Sequence, residues 1–344
     1  MTTKILAVCT GGGAGDLLAA LPAIAALSRH FRTPVDVLTT TYAAPLLVDQ
    51  PSVGDILTDD GATPEKILVE TLRARHYTHA VVFWSNPRIA KVVQAAGIPE
   101  RVGQSRRLYS FRYTKRVGIR TETGDTHSHW TDVQMDYARA LGAQPLPEDY
   151  ALDVKLTAVD EAEAAGLIAQ TVGSSPFVIF HTARGITAYA PNWPSEHFAV
   201  IGDALGAAFE APVLLTGGSN EAALVARTAG LMTKPVFDVA GKTTMRGFAA
   251  LARRALVVVA LDSGPMHIAA AAGAPTVGIF ALRTDLPQRW HPIGPRVAVI
   301  EPDYPCPGCR KETCRTFACY AALSPERVVV AARQIASPSP SEVA

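Results

Sequence analysis

The sequence of 344 residues lacks a surplus of charge of either sign. Its 32 basic and 31 acidic residues leave a formal net charge of +1. Proteins dedicated to nucleic-acid binding are normally strongly basic, so this balance argues against that class. Hydrophobic residues make up 48% of the chain and charged residues 18%, which indicates a globular rather than a disordered protein. The length is typical of two domains or of one large domain.

The sequence also lacks an uninterrupted apolar run that could cross a membrane. Residues 255–282 contain no Lys or Arg, but Asp262 and the Ser-Gly-Pro that follows interrupt them. A spanning helix would bury that aspartate in lipid, so we predict a strand, a turn, a helix and a strand instead. The apolar run near the N-terminus is about five residues long and ends in glycines, too short for a signal peptide. We expect a cytoplasmic protein, with peripheral contact to the inner face of the membrane left open.

Two nucleotide-binding motifs are missing from the glycine loop at residues 11–15. The pattern G-x-G-x-x-G fails because Asp16 or Leu18 stands where its last glycine is needed. A P-loop fails because no Gly-Lys-Ser/Thr follows. An NAD-dependent oxidoreductase is therefore disfavoured.

Short apolar runs alternate with helical patterns along the chain, which is typical of a parallel sheet covered by helices. The pattern restarts after a polar, proline-containing stretch at 142–150. We predict an α/β protein of two doubly wound domains, 1–150 and 151–336, with a central cleft that binds ligands beyond the strand ends. The tail 337–344 is rich in Pro and Ser and is expected to be disordered.

The predicted elements follow this division. Strands are predicted at 4–9, 35–39, 53–57, 80–83, 177–180, 213–215, 255–261 and 276–280. Helices are predicted at 16–31, 65–75, 87–96, 159–171, 195–209, 220–229, 265–272 and 325–335.

The first loop, Gly11-Gly-Gly-Ala-Gly-Asp16, places a carboxylate at the start of a helix. Its glycines let backbone N–H groups approach a ligand closely. A carboxylate facing the cleft can act as a general base. The alternative is a capping aspartate, which is the commoner role for such a residue.

Three strand-end loops in the second half have the character of a nucleotide site. After Asp262 a new helix begins, and its free N–H groups and partial positive charge suit a diphosphate. Glu221 can accept hydrogen bonds from ribose hydroxyls or simply place favourable charge at a helix start. Arg184 can bind a phosphate or be a solvated loop residue. The donor-site candidates are Arg184, Thr216, Gly217, Gly218, Glu221, Asp262, Ser263, Gly264, Pro265, Met266 and His267.

A basic stretch at residues 101–120 contains no acidic residue. It suits an anionic acceptor, such as a phosphorylated or carboxylated glycolipid at the inner membrane face. A solvated basic surface is the alternative. Its basic residues are Arg101, Arg106, Arg107, Arg112, Lys115, Arg116 and Arg120. The acceptor candidates are Gly13 and Gly15 of the glycine loop together with Arg106 and Arg107.

Four of the five cysteines lie close together, with the spacing C-x2-C-x4-C-x4-C. Four thiolates can hold a structural zinc or iron ion. Reduced thiols or disulfides are the alternatives, although a cytosolic protein disfavours stable disulfides. In each case the role of the cysteines would be to stabilise the loop before the last helix. The candidates are Cys306, Cys309, Cys314 and Cys319.

Taken together, these residues resemble glycosyltransferase family 9, the heptosyltransferase-like enzymes that include the lipopolysaccharide core heptosyltransferases. The resemblance covers most of the chain, and its Asp-Ser-Gly-Pro-Met-His stretch is the most specific part. It rests on Gly15-Asp16 with Leu21-Pro22 downstream, Arg101-Val-Gly103, Trp193-Pro194, Leu215-Thr-Gly-Gly218, Asp262-Ser-Gly-Pro-Met-His267 and the cysteine cluster.

The resemblance implies a GT-B fold of two Rossmann-like domains, the first for the acceptor and the second for the nucleotide sugar. It implies inverting transfer without a catalytic metal, with ADP-heptose as the favoured donor. It also implies that Asp16 is the general base and that Glu221, Asp262 and His267 surround the donor. The absence of Asp-x-Asp, the metal-diphosphate clamp of other glycosyltransferases, is consistent with this interpretation.

The chain departs from the family pattern before Trp193-Pro194. Members often carry Lys or Arg there, positioned for the diphosphate, whereas this chain has Pro191-Asn192. Arg184, Lys242 or Arg283 can supply the positive charge instead. Two other functions therefore stay open: a nucleotide-sugar epimerase or hydrolase of GT-B type, and a degenerate sugar-nucleotide-binding module.

Overall fold

The computed structural model describes residues 3–183, 193–280, 287–303 and 314–336. The chain divides into two compact units, Met1–Lys155 and Leu156–Ala344. The predicted tail 337–344 lies outside the described residues.

The first unit is a six-stranded parallel sheet in the order β3-β2-β1-β4-β5-β6. Strand β1 is central and fully buried, with Val8 paired to Leu38 of β2 on one side and to Val82 of β4 on the other. Its strands are β1 Ile5–Cys9, β2 Val35–Thr39, β3 Val53–Thr58, β4 His79–Val82, β5 Glu100–Gln104 and β6 Lys115–Val117. Its helices are α1 Ala14–Phe31, α2 Glu65–Ala74, α3 Pro87–Ala95 and α4 Trp130–Arg139.

The second unit repeats this arrangement. Its six parallel strands follow the order β12-β11-β10-β7-β8-β9, so the first strand of the unit again lies beside the fourth. The strands are β7 Val178–His181, β8 Val213–Thr216, β9 Val236–Asp238, β10 Val258–Leu261, β11 Thr276–Ile279 and β12 Val297–Ile300. The helices are α5 Ala158–Gln170, α6 Ser195–Phe209, α7 Ala222–Leu231, α8 Met245–Arg253, α9 Gly264–Ala271, α10 Pro287–Trp290, α11 Ala318–Ala321 and α12 Pro325–Ile335.

Both strand orders are those of the dinucleotide-binding Rossmann fold. The predicted α/β class with two doubly wound halves is therefore confirmed. Each half has a core of its own, because the apolar strands of a parallel sheet are covered by helices on both faces. In the first unit the core includes Leu6, Val8 and Ile89; in the second it includes Phe180 and Val259.

The stretch predicted as a linker, 142–150, belongs structurally to the first unit. Its last residues form a short 3₁₀ helix, Pro147–Tyr150. The buried carboxylate of Asp149 accepts two hydrogen bonds from the guanidinium of Arg29 on α1, at 3.2 and 2.7 Å. This pairing ties the end of the first unit to its longest helix.

Within the ranges that the structure describes, no helix combines the length and the apolar character that crossing a bilayer requires.

Candidate active site

Each sheet has a switch point where chain connections leave in opposite directions, between β1 and β4 in the first unit and between β7 and β10 in the second. Ligands of doubly wound proteins bind beyond the carboxyl ends of the strands at such points. Asp16 follows β1, and the stretch from Asp262 to His267 follows β10. Sequence reasoning therefore selected residues at both switch points.

Asp16 stands at the third position of α1, and its half-buried carboxylate turns back toward the start of the helix. Its Oδ2 accepts a hydrogen bond of 2.8 Å from the backbone N–H of Gly13. Burial raises the pKa of the Asp16 carboxyl above its ordinary value, and backbone hydrogen bonds from Gly13 and from Asp16 itself oppose that rise. The residue is thus both a cap for the helix and a carboxylate of increased basicity, the property that a general base requires.

Two glycines make room around this carboxylate. Gly12 has a φ of +83°, and a Cβ at this position would collide with the Asp16 side chain. Gly11 lies against the ring of Trp84, where a Cβ would collide with the indole. Trp84 in turn meets Trp130 edge-on, with ring centroids 5.9 Å apart. Trp84 was missed at the sequence level, although an aromatic residue directly after a buried strand at a switch point was the available signal.

The loop after β8 repeats the arrangement of the Asp16 loop. The backbone N–H of Gly218 donates to Oε2 of Glu221 at 2.6 Å, as Gly13 does to Asp16. A Cβ on Gly217 would lie 2.8 Å from Cγ2 of Val225, so a larger residue would push this turn away from α7. Glu221 thus caps the short helix at its own loop, and its second carboxylate oxygen is not used by this bond.

The last residues of β7 and β8 form a buried pair, of which the sequence selected Thr216 but not His181. Nδ1 of His181 lies 3.0 Å from Oγ1 of Thr216, and both side chains are almost fully buried. Burial lowers the pKa of the His181 imidazole to about 4, so the ring is neutral at physiological pH. The side chain of Thr216 therefore contacts His181 on the neighbouring strand β7. The sequence feature that could have indicated this pair is the polar residue at the end of each of these two apolar strands.

The loop after β10 leads directly into α9. The hydroxyl of Ser263 donates to the carbonyl of Leu261 at 2.8 Å and does not cap the helix. Pro265 occupies the first turn, and its fixed φ suits a helix start. Met266 is fully buried against Ala260 and Phe280, so only its backbone could contact a ligand. Asp262, Gly264 and His267 are partly exposed at this edge.

Several predicted residues contribute to structure or lie outside the described ranges. Trp193 of the Trp-Pro motif is buried and packs against Phe198 at 5.3 Å between ring centroids. Arg184 lies outside the described residues, as do Pro191, Asn192 and Arg283. Gly15 lies within the first turn of α1.

The basic stretch is less uniform than its sequence indicates. Arg107 forms an ion pair of 2.8 Å with Glu122, and Lys115 forms one of 3.2 Å with Glu100. Arg120 bridges Asp132 and Asp136 at 2.8 and 2.6 Å. Arg101 donates to the carbonyls of Ile98, Pro99 and Arg112. The positions without a carboxylate partner among the described residues are Arg101, Arg106, Arg112 and Arg116.

Half of the cysteine cluster is described. Cys306 and Cys309 lie outside the described residues. Cys319 is buried in the core of the second unit. Sγ of Cys314 accepts a hydrogen bond of 3.3 Å from the backbone N–H of Phe317. Within the described ranges, which contain two of the four clustered cysteines, no three metal-ligating side chains come together.

Two Rossmann-like units in one chain, with acidic residues and helix starts at the carboxyl ends of their strands, are the architecture of GT-B nucleotide-sugar enzymes. The chain belongs to glycosyltransferase family 9 (heptosyltransferase), whose sequence model matches residues 67–320. The Asp16 loop precedes the matched stretch.

Similar proteins match this chain over most of its length. Lipopolysaccharide heptosyltransferase 3 of Escherichia coli strain K12 is 29% identical over 286 residues, covering 77% of this chain and 79% of that protein. A family 9 glycosyltransferase structure from Veillonella parvula has a TM-score of 0.79 at 18% identity, covering 97% of this chain and 98% of the other. The E. coli ADP-heptose heptosyltransferase II structure has a TM-score of 0.77 at 20% identity, with the same coverage.

Proposed function

We propose that this protein transfers a heptose from ADP-heptose to a hydroxyl group of an anionic glycolipid during assembly of the lipopolysaccharide core. Family membership supports sugar transfer. The names of its relatives, a lipopolysaccharide heptosyltransferase and an ADP-heptose enzyme, support the donor and the pathway.

The observation that carries the proposal is the Asp16 carboxylate. It lies at the switch point of the first sheet, half-buried, with burial raising its pKa. We assign it the role of general base. Its free oxygen takes the proton of the acceptor hydroxyl, the hydroxyl oxygen bonds to the anomeric carbon, and the bond from that carbon to the diphosphate breaks. The leaving diphosphate takes the electron pair, and attack from the opposite face inverts the anomeric configuration.

We assign donor binding to the second unit. Strands β10, β7 and β8 are neighbours, so the loops that follow them emerge side by side at one edge of the sheet. The first turn of α9 offers backbone N–H groups and the positive end of a helix dipole to the developing diphosphate charge. Glu221 suits a ribose hydroxyl, and Asp262 and His267 stand at the same edge. Arg184 remains a candidate for the phosphate.

We further propose that catalysis needs no divalent metal, because backbone N–H groups and basic side chains can stabilise the leaving group. A structural zinc or iron ion at the cysteines would be separate from this chemistry. The reaction is assigned to the cytoplasmic side, where nucleotide sugars are made. Gly13, Gly15, Arg106 and Arg107 are the proposed acceptor contacts.

The decisive experiment follows release of ADP and the fate of the heptose with purified protein, with and without a truncated lipopolysaccharide acceptor. The proposal expects ADP-heptose to be consumed only when acceptor is present, with the glycosidic product inverted. Turnover without acceptor would instead indicate a hydrolase or epimerase. Tight donor binding without turnover on any acceptor would indicate a degenerate binding module.

A further inference from the structure

The segment from Arg106 to Arg112 exposes apolar side chains to an unusual extent. Leu108 is 99% exposed and Phe111 is 61% exposed. Phe111 belongs to a short 3₁₀ helix, Ser110–Arg112, and Leu108 to the turn before it, and both side chains line the same cavity. An apolar pair displayed in this way on one rigid turn marks an interaction surface rather than a chance exposure.

The turn that carries these side chains is held firmly. The phenol of Tyr109 donates to the carbonyl of Ser85 at 2.9 Å, which anchors the turn to the loop after β4. The buried hydroxyl of Ser110 donates to the carbonyl of Gln104 at 2.7 Å and accepts from the backbone N–H of Arg107 at 3.1 Å. The exposed pair therefore loses little conformational freedom when it binds.

Arg106 and Arg112 flank the apolar pair along the chain, and Arg116 follows on β6. Arg106 and Arg116 are exposed, and the guanidinium of Arg112 lies 4.8 Å above the Phe111 ring. Among the described residues none of these three arginines has a carboxylate partner, because the acidic neighbours Glu122 and Glu100 pair with Arg107 and Lys115. The arginine charges are therefore available to an anionic partner.

A cavity of about 500 Å³ opens beside the pair, and Leu108, Tyr109 and Phe111 form part of its wall. Arg88 and Lys91 also line it, but Asp59 and Glu65 neutralise them. Arg112 is left as the cation at its edge. The site thus combines an apolar hollow with an unneutralised guanidinium, which matches a lipid head group and the upper part of its chain.

The segment begins where β5 ends, and Asp16 follows β1, so the start of the segment and Asp16 lie at the carboxyl edge of one parallel sheet. The segment then returns to the amino end of the parallel strand β6. Only β4 separates β5 from β1, which corresponds to roughly 10 Å at the usual strand spacing. Leu108 and Phe111 share a cavity with Pro87 and Arg88, the first residues of α3 after β4, so they lie toward the sheet edge that carries the proposed base.

We infer that Leu108 and Phe111, together with the nearby arginines Arg106, Arg112 and Arg116 of the same stretch, dock this protein on an anionic lipid bilayer. The two apolar side chains enter the interfacial region, and the arginines bind lipid phosphates. The inference extends the proposed function by giving a glycolipid acceptor a route to Asp16, and it rests on that function only for this purpose.

The test is co-sedimentation of the whole protein with vesicles, in the absence of donor and acceptor. We expect binding to vesicles of phosphatidylglycerol and phosphatidylethanolamine, weak binding to phosphatidylcholine, and weaker binding as salt is raised. The double variant Leu108→Ser/Phe111→Ser should bind anionic vesicles about tenfold more weakly or worse. The double variant Arg112→Gln/Arg116→Gln should lose the preference for anionic lipid.

Matched controls come from exposed residues elsewhere. Val159→Ser/Val330→Ser removes two exposed apolar side chains of the second unit, and Arg32→Gln/Lys234→Gln removes two exposed charges. Both should bind vesicles like the unmodified protein, and all four variants should keep its circular dichroism spectrum. The inference is wrong if the protein ignores anionic vesicles, binds phosphatidylcholine equally, or keeps full binding in Leu108→Ser/Phe111→Ser. ADP-heptose binding, measured by thermal shift, tests the proposed function separately.

Discussion

The backbone N–H of Gly13 donates a hydrogen bond of 2.8 Å to Oδ2 of Asp16, so the proposed base also closes the start of its own helix. The same geometry joins Thr157 to Asp160 at α5 and Gly218 to Glu221 after β8. The bond is therefore a structural device used repeatedly in this chain. What distinguishes Asp16 is its place at the switch point and the rise of its pKa through burial.

Replacing Asp16 by Asn should separate capping from catalysis. The amide oxygen can still accept from Gly13, but it cannot take a proton from the acceptor. We expect the transfer rate to fall by about 10²–10⁴-fold, the usual contribution of a general base, with ADP-heptose affinity unchanged. Steady-state kinetics and donor titration check this. Near-normal turnover would remove Asp16 from the mechanism.

The same variant should be more stable than the unmodified protein at neutral pH. Because the pKa of Asp16 is raised on folding, its contribution to stability is present below the ordinary aspartate pKa and is lost as the pH rises through the raised value. Asp16→Asn removes that loss, so its thermal midpoint should be higher at pH 7 and equal at pH 3.

Asp160→Asn is the matched control for this stability measurement. Burial alone would raise the pKa of Asp160, but hydrogen bonds from Thr157 and the Arg246 ion pair hold it below its ordinary value. Its loss should therefore lower the midpoint at pH 7. A midpoint for Asp16→Asn below that of the unmodified protein at pH 7 would contradict the expected sign of the effect.

Gly12→Ala should disable the enzyme by displacing the Asp16 carboxylate. A Cβ at position 12 collides with that side chain, and the backbone there has a φ of +83°. The left-handed backbone alone costs about 1–2 kcal/mol of stability for a residue with a Cβ. Gly61 has a φ of +86°, and a Cβ there would meet nothing within 4 Å, so Gly61→Ala should carry the backbone cost alone. Equal activity in the two variants would show that position 12 has no role beyond conformation.

Thr216→Val should destabilise the second unit by leaving Nδ1 of His181 without its partner. An unsatisfied buried polar group costs about 1–3 kcal/mol. Thr228→Val is a suitable comparison, because the buried Thr228 hydroxyl only donates to the carbonyl of Leu224 within its own helix. Denaturant unfolding should give the larger loss for Thr216→Val, and a smaller one would show that the pair contributes little to stability.

His181 should make the protein sensitive to mild acid. Burial lowers its pKa from an ordinary value of 6.5 to about 4, so the unfolded chain binds the proton first. Its contribution is complete above pH 6.5 and is lost as the pH falls toward 4, amounting to about 3 kcal/mol at most. In His181→Asn the unfolding free energy should vary less with pH across this window. An unchanged slope would mean that other groups control acid stability.

The sequence predicted the strands nearest the middle of each sheet and the edge strand β3, but it did not predict β5, β6, β9 or β12. Strands β1 and β10 are continuous apolar runs because both faces of a parallel sheet are covered. The edge strands β6 and β9 have three residues each, and Lys115 and Arg116 of β6 are exposed. Such a strand is defined by its pairing with a neighbour, here Lys115 with Val102, which no local pattern reveals. The stretch predicted as a basic surface therefore contains two strands.

The candidate site likewise has features that the sequence predicts and features that it does not. The glycine loop and the residue after each apolar strand could be located from the sequence, because chain order and strand ends determine them. The pKa of Asp16, the contact of Gly11 with Trp84 and the pair of His181 with Thr216 could not, because residues distant in the chain create them. Which basic residues are neutralised could not be predicted either, because the ion pair of Arg120 with Asp136 forms only in the folded protein.

The repeated strand order has a consequence for synthesis on the ribosome. All six strands of the first sheet come from residues 5–117, and its remaining helix α4 ends at Arg139. The second sheet takes no strand from this part of the chain. Because domains fold as units during translation, the half carrying Asp16 can close its sheet before β7 has been made. The strands of the first sheet can therefore pair with one another before the similar strands of the second sheet have been synthesised, which prevents mispairing between the two sets.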